Sequence, residues 1–197
     1  MLDCQVAILE NAISRYVVTG KAPKPEGNRH PSIVPFEPFD ARDGQIMVAA
    51  GNDALWEKFC NAIDGRELLE IDEYKTNPSR NDHYTELRPL IAVKMLNKTV
   101  KEWQDILDEA GVPNGPINTV DKVLEDPQVL ARNMIVEVEH KVAGPLKIPG
   151  VPIKMSETQG EIKKAAPVLG EDTAQLLSEL LGIGRDEFEA LKEKGIF

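Results

Sequence analysis

Cysteine, histidine and aromatic residues are scarce in this 197-residue chain. Its only two cysteines are Cys4 and Cys60, and its three histidines are His30, His83 and His140. The two cysteines lie far apart and form no Cys-x-x-Cys pair, so the sequence predicts neither a zinc site nor a redox pair. The histidines are too scattered to nominate a metal centre, and a surface or hydrogen-bonded role fits each of them better. We therefore expect no metal site.

An excess of basic charge and long apolar runs are also lacking. Lys and Arg number 23 against 33 Asp and Glu, which gives a formal net charge of −10. Because nucleic-acid-binding proteins usually carry a clustered basic face, this balance argues against a nucleic-acid partner. No apolar run approaches the roughly 18 residues that cross a bilayer, and Asp3 and Glu10 stand where a signal peptide has a basic end and an apolar stretch. The sequence predicts a cytoplasmic protein without a membrane partner.

Common catalytic motifs are missing as well. The sequence contains no GxSxG, GxxxxGK[ST], HExxH or GxGxxG. Carboxylates stand beside several turns, but helix capping and solvation explain them without acid–base chemistry. Residue patterns alone therefore indicate an acidic, soluble α+β protein and name no reaction.

The first half of the chain shows alternating helix, turn and strand signals. Apolar spacing predicts a helix over residues 2 to about 18, followed by an extended connector that holds five prolines before Phe39. Asp43-Gly44 predicts a hairpin turn and Ile46–Ala50 a strand. Asp53 is a good N-cap for the next helix, which we expect to run to about Ile63.

The rest of the chain follows the same logic and completes an α+β fold with short strands among five to eight helices. Asn77-Pro78 marks a turn, and GVPNGPINT, residues 111–119, is expected to be a loop. Residues 134–140 alternate as a half-buried strand, and Leu146–Met155 is an edge-strand candidate interrupted by prolines. Helices are expected near residues 87–96, 99–110, 119–125, 173–181 and 186–194.

Three long phrases resemble the family III CoA-transferases, the group that includes formyl-CoA transferase and the carnitine and bile-acid CoA-transferases. The first, TGKAPKPEGNRHPSIVPFEPFDARDGQIMVAAGNDALWEKFC, resembles the connector, strand and helix that open the family's small domain. The others are AGVPNGPINTVDKVLEDPQVLARNM and APVLGEDTAQLLSELLG, which resemble two later family phrases. Together the resemblance covers Asp3 to Phe197. Asp172 departs from it, because the closing phrase usually has histidine there.

The resemblance implies that the chain is the C-terminal half of such an enzyme. It implies an N-terminal helix and connector over residues 1–35, a small substrate-side α+β domain over 36–140, and a return linker with closing helices over 141–197. In the family the terminal helices pack on a Rossmann-like CoA-binding domain, which would lie outside this chain. The family's interlocked subunits also imply a homodimer.

The family's chemistry implies what this half would and would not do. A family aspartate attacks the acyl-CoA and forms covalent intermediates, which split one difficult transfer into easier steps. This chain matches the segment after that aspartate, so the resemblance gives it no catalytic residue and predicts that it is inactive alone. The intact enzyme would move CoA from an acyl-CoA donor to a carboxylic-acid acceptor. Coenzyme A would enter as part of the substrate, bound mainly by the other half, and no cofactor is expected.

Two loops are candidate substrate-binding sites. In the family the loop after the first small-domain strand faces the acyl group, and here Gly51 and Asn52 occupy it. Gly51 would let backbone N–H groups approach an oxyanion, and Asn52 offers an uncharged amide. A plain strand-to-helix turn explains the same residues equally well. The second candidate lies in the connector, where Asn28, Arg29 and His30 could meet an acidic acceptor, although exposed linker residues are the commoner outcome.

Other interpretations of the chain remain open. The segment from Val112 to Pro116 is expected to shape a loop rather than to contact substrate, because two prolines and a glycine stiffen it. An acyl-CoA racemase of the same superfamily is an alternative, although the resemblance suggests that a racemase has a carboxylate-bearing residue about where Asn52 stands. A non-catalytic binding or interaction module that keeps the fold is the third interpretation.

Overall fold

The computed structural model describes residues 1–196 and divides the chain into two compact units. The first unit is Met1–Ile117, and the second begins at Asn118. The described residues form ten α-helices, two short 3-10 helices and five strands in antiparallel pairs. The α+β class is confirmed, and the sequence estimate of five to eight helices is too low. The three-part division at residues 35 and 140 stays a prediction about the intact protein.

The first unit holds six of the α-helices. They are α1 (Leu2–Ala7), α2 (Glu10–Thr19), α3 (Asp53–Ala62), α4 (Asn77–Asp82), α5 (Tyr84–Met95) and α6 (Val100–Ala110). The single first helix expected from the sequence is wrong, because the Leu9 N–H bonds to the carbonyl of Val6, three residues back, and interrupts the ladder. The 3-10 helices Arg66–Leu69 and Asp72–Tyr74 connect α3 to α4.

A three-stranded antiparallel sheet runs through the first unit. Its strands are β1 (Phe36–Asp40), β2 (Gln45–Ala49) and β3 (Asn114–Pro116), in the order β1-β2-β3. The turn at Asp43-Gly44 is confirmed as the hairpin between β1 and β2. The sequence did not anticipate β1, but its Pro38 is tolerated because β1 is an edge strand.

The apolar core belongs to the first unit. Among residues 1–196, every buried hydrophobic side chain lies between Val34 and Val112. Helix α6 contributes Trp103, whose indole Nε1 donates to the Met95 carbonyl at 2.6 Å. Burial raises the pKa of the buried Cys60 thiol to about 12, whereas Cys4 is exposed.

Two helix starts differ from the sequence prediction. The N-cap of α3 is Asn52, whose Oδ1 accepts a hydrogen bond from the Leu55 N–H at 2.9 Å, and not Asp53. Asn77-Pro78 does not form an isolated turn, because it opens α4. Proline fits the first helical turn, where backbone N–H groups have no partner inside the helix.

The second unit begins with α7 (Val120–Glu125) and α8 (Pro127–Ala131) and continues with the hairpin of β4 (Ile135–His140) and β5 (Gly144–Pro149). It closes with α9 (Thr173–Leu181) and α10 (Arg185–Glu193). The predicted edge strand Leu146–Met155 is wrong in extent, since β5 ends at Pro149. Within residues 1–196, no helix is long and apolar enough to cross a membrane.

Candidate functional site

The loop between β2 and α3 has a buried base and an exposed tip. Ala50 is completely buried, and its N–H donates to the Pro35 carbonyl at 2.9 Å. Gly51 and Asn52 are exposed. The packed sheet therefore holds the base of the loop and leaves both predicted contact residues accessible.

The Asn52 side chain uses its oxygen in a hydrogen bond within the fold and leaves its amide nitrogen without one. Its Oδ1 caps α3 through the Leu55 N–H. Its Nδ2 makes no hydrogen bond within residues 1–196, so two N–H donors remain available. The capped turn and the substrate-facing amide are thus compatible, because they use different ends of the same side chain.

Gly51 is not required by anything packed around it. A Cβ atom added there meets no atom within 4 Å, and the backbone is outside the left-handed region. A side chain at this position would therefore be tolerated by the described part of the chain. Any requirement for glycine has to come from a molecule or segment that approaches the loop.

Behind the loop lies a buried arginine that the sequence analysis missed. Arg80 is 0% exposed, and its guanidinium donates to the carbonyls of Val34 at 2.8 Å and Tyr74 at 3.0 Å and to Asp53 Oδ1 at 2.8 Å. Its Cζ also lies 5.1 Å from the centre of a Trp56 ring. Burial lowers the pKa of Arg80, and the bond to Asp53 opposes that change. The short polar helix NPSRND gave no apolar spacing that could have revealed a buried side chain.

Asn77 also joins the connector to the start of α3, and we call this contact region the junction. Its Oδ1 accepts from the Val34 N–H at 3.0 Å, and its Nδ2 donates to the Ser32 carbonyl at 2.8 Å. Its own N–H donates to Asp53 Oδ1 at 3.0 Å. Arg80 and Asn77 together fasten the end of the connector to the start of α3.

The contacts of the connector residue His30 are with neighbouring residues of the fold. Its ring stacks on Phe36 with 5.1 Å between ring centres and a 3° interplanar angle. Its Nδ1 accepts from the Ser32 backbone N–H at 3.2 Å, and the His30 backbone N–H donates to the Phe36 carbonyl at 2.9 Å. A substrate contact by His30 stays a prediction.

Arg29 is better placed than His30 to meet a ligand. Its guanidinium Cζ lies 3.9 Å from the centre of the Tyr84 ring, and its Nη2 donates to Asn81 Oδ1 at 2.7 Å. Its Nε is buried without a hydrogen-bond partner. This half-buried cation has no ion pair within residues 1–196.

Asn28 and Arg29 line a polar cleft of about 260 Å³. The polar lining also includes Glu26, Glu37, Tyr84 and Arg88. Glu37 is 4% exposed, and its Oε2 accepts from the Tyr84 hydroxyl at 2.9 Å and from Arg88 Nε at 2.8 Å. Burial, followed by the bond to Glu37, raises the pKa of Tyr84. The lining brings together two of the five predicted contacts, and its remaining charged residues gave no sequence motif.

The other segments singled out by the sequence are accounted for within the fold. Residues 114–116 form β3, which pairs with β2, so the loop expected there is partly a strand. The Asn114 amide donates to Asp108 Oδ1 at 2.7 Å and to the Val112 carbonyl at 3.1 Å, which fits a shaping role. Asp172, the departure from the family phrase, pairs with Lys164 at 2.9 Å.

Comparisons with known proteins agree on one family. The family described as CoA-transferase family III matches residues 1–173. The human succinyl-CoA:glutarate CoA-transferase is 33% identical over 92% of this chain and 41% of its own length. A succinate–glutarate CoA-transferase from Agrobacterium fabrum is 36% identical over 94% of this chain and 46% of its own length.

A solved structure agrees with these relatives. The CAIB/BAIF family protein from Brucella suis superimposes with a TM-score of 0.76 at 31% identity, over 90% of this chain and 46% of that protein. The chain thus spans about half the length of the relatives and of the structure that it matches. On the match to residues 1–173, and on these similarities, the chain belongs to the CoA-transferase family III.

Proposed function

We propose that this chain is the substrate-side half of an enzyme that moves CoA from an acyl-CoA donor to a carboxylic-acid acceptor. The observation that carries the proposal is the family match over residues 1–173. The two relatives support it, since both are named as CoA-transferases between succinate or its CoA ester and glutarate. They are about twice as long as this chain, so the activity belongs to the intact protein. We expect that protein to be cytoplasmic.

In this proposal the nucleophile is an aspartate in the half of the relatives that this chain does not span. A carboxylate suits the task, because it can exchange acyl and thiol partners through covalent intermediates. Asp53, the carboxylate beside the exposed loop, is already bound to buried Arg80 and to the Asn77 N–H. Its commitment to the fold supports a nucleophile elsewhere.

The loop of Gly51 and Asn52 would form one wall of the acyl site. Gly51 leaves open space where a thioester could lie, and the free Nδ2 of Asn52 could donate to a developing oxyanion. The uncharged amide favours a transferase over the racemase alternative, because the proposed racemase chemistry has a carboxylate-bearing residue about there. The capping bond holds the amide in one place, which suits a preorganised donor.

The proposed function is tested by comparing this chain with a longer protein that also carries the CoA-binding half. We expect no CoA transfer from succinyl-CoA to glutarate by the chain alone, and transfer by the longer protein. An aspartate-to-alanine variant in the added half should abolish transfer, whereas Asp53→Asn should retain most of it. Turnover by the chain alone that depends on one of its own aspartates would contradict the proposal. A folded longer protein that binds acyl-CoA without transfer would favour the binding-module interpretation.

We also propose that this half self-associates, in keeping with a homodimer. Large apolar side chains are exposed at both ends of the chain, and they include Leu2, Val6, Leu9, Leu176, Leu180 and Leu181. Exposed apolar side chains grouped in one helical segment favour association. We expect light scattering at micromolar concentration to report a dimer or a larger species. A single species near the chain mass of 21.8 kDa would contradict this prediction.

A further inference from the structure

The polar cleft beside the connector has one cation that lacks a counter-charge. Arg88 is paired with buried Glu37 at 2.8 Å. Arg29 has no carboxylate partner in the described chain, and Glu26 at the cleft is exposed and unpaired. The lining thus carries two cations and two carboxylates and is close to neutral. The cation without an ion pair is Arg29, which is half-buried.

One N–H donor in the cleft is buried without an acceptor. Arg29 uses only Nη2, for Asn81, and its Nε is buried without a partner. Arg88 donates through Nε to Glu37 and also interacts with the Tyr84 hydroxyl, and Glu37 is its only carboxylate partner within residues 1–196. A buried donor without an acceptor is costly, so a ligand that supplies oxygen atoms here is favoured.

Glu37 shows which chemistry the cleft already accommodates. Its carboxylate is almost fully buried, yet one oxygen receives bonds from both Tyr84 and Arg88. The Tyr84 hydroxyl acts as a donor here, and burial and the bond to Glu37 raise its pKa. The same wall thus holds one carboxylate and retains guanidinium donors for another.

We propose that the cleft binds a carboxylate group of a small dicarboxylic acid, between Arg29 and Arg88. Planar guanidinium groups match the geometry of a carboxylate and can bind it through two hydrogen bonds. The near-neutral lining suits one negative charge better than a phosphate dianion, and about 260 Å³ has room for a short acid but not for a nucleotide. This inference rests on the proposed function, since the other carboxylate of the acid would be the one that accepts CoA.

The position of the cleft agrees with this assignment. Glu37, in β1, lines it, and residue 35 just before the strand holds Ala50 at the base of the Gly51 loop. Phe36 pairs with Ala49 in the same hairpin. The cleft and the proposed acyl wall are therefore connected through a few residues of one rigid sheet.

Isothermal titration of this chain tests the cleft without any turnover. Glutarate is the probe, with dimethyl glutarate as the uncharged analogue of equal chain length and inorganic phosphate as the competing anion. We expect glutarate to bind at least about tenfold more tightly than dimethyl glutarate or phosphate, because the ester lacks the free carboxylate that makes charge-assisted bonds with the guanidinium groups. Absent binding, or phosphate binding as tightly as glutarate, would overturn the inference.

Variants separate a binding role of Arg29 from a structural one. Arg29→Gln should weaken glutarate binding about tenfold or more, and Arg29→Lys should recover part of it because it keeps the charge. Arg66→Gln is the matched control, since exposed Arg66 also donates to one asparagine, Asn61, at 2.8 Å. Glu26→Gln should tighten binding severalfold by removing a like charge. A folded Arg29→Gln variant with unchanged glutarate affinity contradicts the assignment.

The same variants distinguish this inference from the proposed function. If the longer protein transfers CoA but its KM for glutarate does not change in Arg29→Gln, the cleft assignment fails and the transferase proposal stands. If the chain binds glutarate through Arg29 but the longer protein transfers no CoA, the transferase proposal fails. Thermal unfolding of each variant shows whether it is folded, and Glu26→Gln carries the test if Arg29→Gln is not.

Discussion

Arg80→Ala is expected to lower the free energy of unfolding by about 3–5 kcal/mol, because it leaves hydrogen-bond acceptors without their donor and opens a cavity where a large buried side chain was. The guanidinium is completely buried and satisfies the carbonyls of Val34 and Tyr74 as well as Asp53. Alanine would leave all three acceptors without this donor and a cavity beside Trp56. An effect of this size is a large fraction of the stability of an ordinary domain.

Urea unfolding followed by Trp fluorescence measures this effect. Asp53→Asn should cost less, because the asparagine side-chain oxygen can still accept a hydrogen bond from Arg80 and the position is 57% exposed. Arg66→Ala is the control at an exposed arginine and should change stability by less than about 0.5 kcal/mol. If Arg80→Ala is as mild as Arg66→Ala, the buried hydrogen-bond cluster does not stabilise the junction in the way described.

Gly51→Val is expected to slow CoA transfer by about a hundredfold or more in a protein that includes the CoA-binding half. The valine side chain would occupy the open space where we propose that the thioester lies. Misplacement of reacting groups by about 1 Å can cost a hundredfold in rate. Gly51→Ala, with a smaller side chain, should cause a smaller loss.

The fold itself should tolerate this substitution, which makes the kinetic result interpretable. No described atom lies within 4 Å of the added Cβ, so the chain's free energy of unfolding should change by less than about 1 kcal/mol. CoA affinity should also be unchanged, since we propose that CoA binds to the other half. Lys58→Ala, on exposed α3 surface, is the control. Transfer by Gly51→Val at the control rate would show that the loop is only a capped turn.

The sequence predicts elements whose signals are local. Thr99 caps α6 with the full capping box, and Gly111 ends it in the left-handed conformation, so both ends could be derived from the residues. Prediction fails where distant residues decide the outcome. Asp53 is a good capping residue by type. Its carboxylate instead accepts hydrogen bonds from Arg80 and Asn77, which lie more than 20 positions away. Asn52 is therefore the residue that caps α3.

One part of the candidate site could be predicted from the sequence and the other could not. Gly51 and Asn52 could be nominated from a resemblance, since they sit in one short segment after a strand. The cleft could not, because the connector, β1 and α5 each contribute to it, and Glu37 and Arg88 are 51 positions apart. Nothing in a single strand with the sequence FEPFD shows that its glutamate is buried beside an arginine.

The junction made by Arg80 and Asn77 has a consequence for the proposed binding of an acid. It fastens the connector behind Arg29 to the helix start behind Asn52 through buried or half-buried side chains. The distance from the cleft to the Gly51 loop is therefore fixed by packing instead of varying with a flexible linker. If the acid spans the cleft and the Gly51 loop as we propose, a change in its length by a single methylene group would misplace one of its two ends.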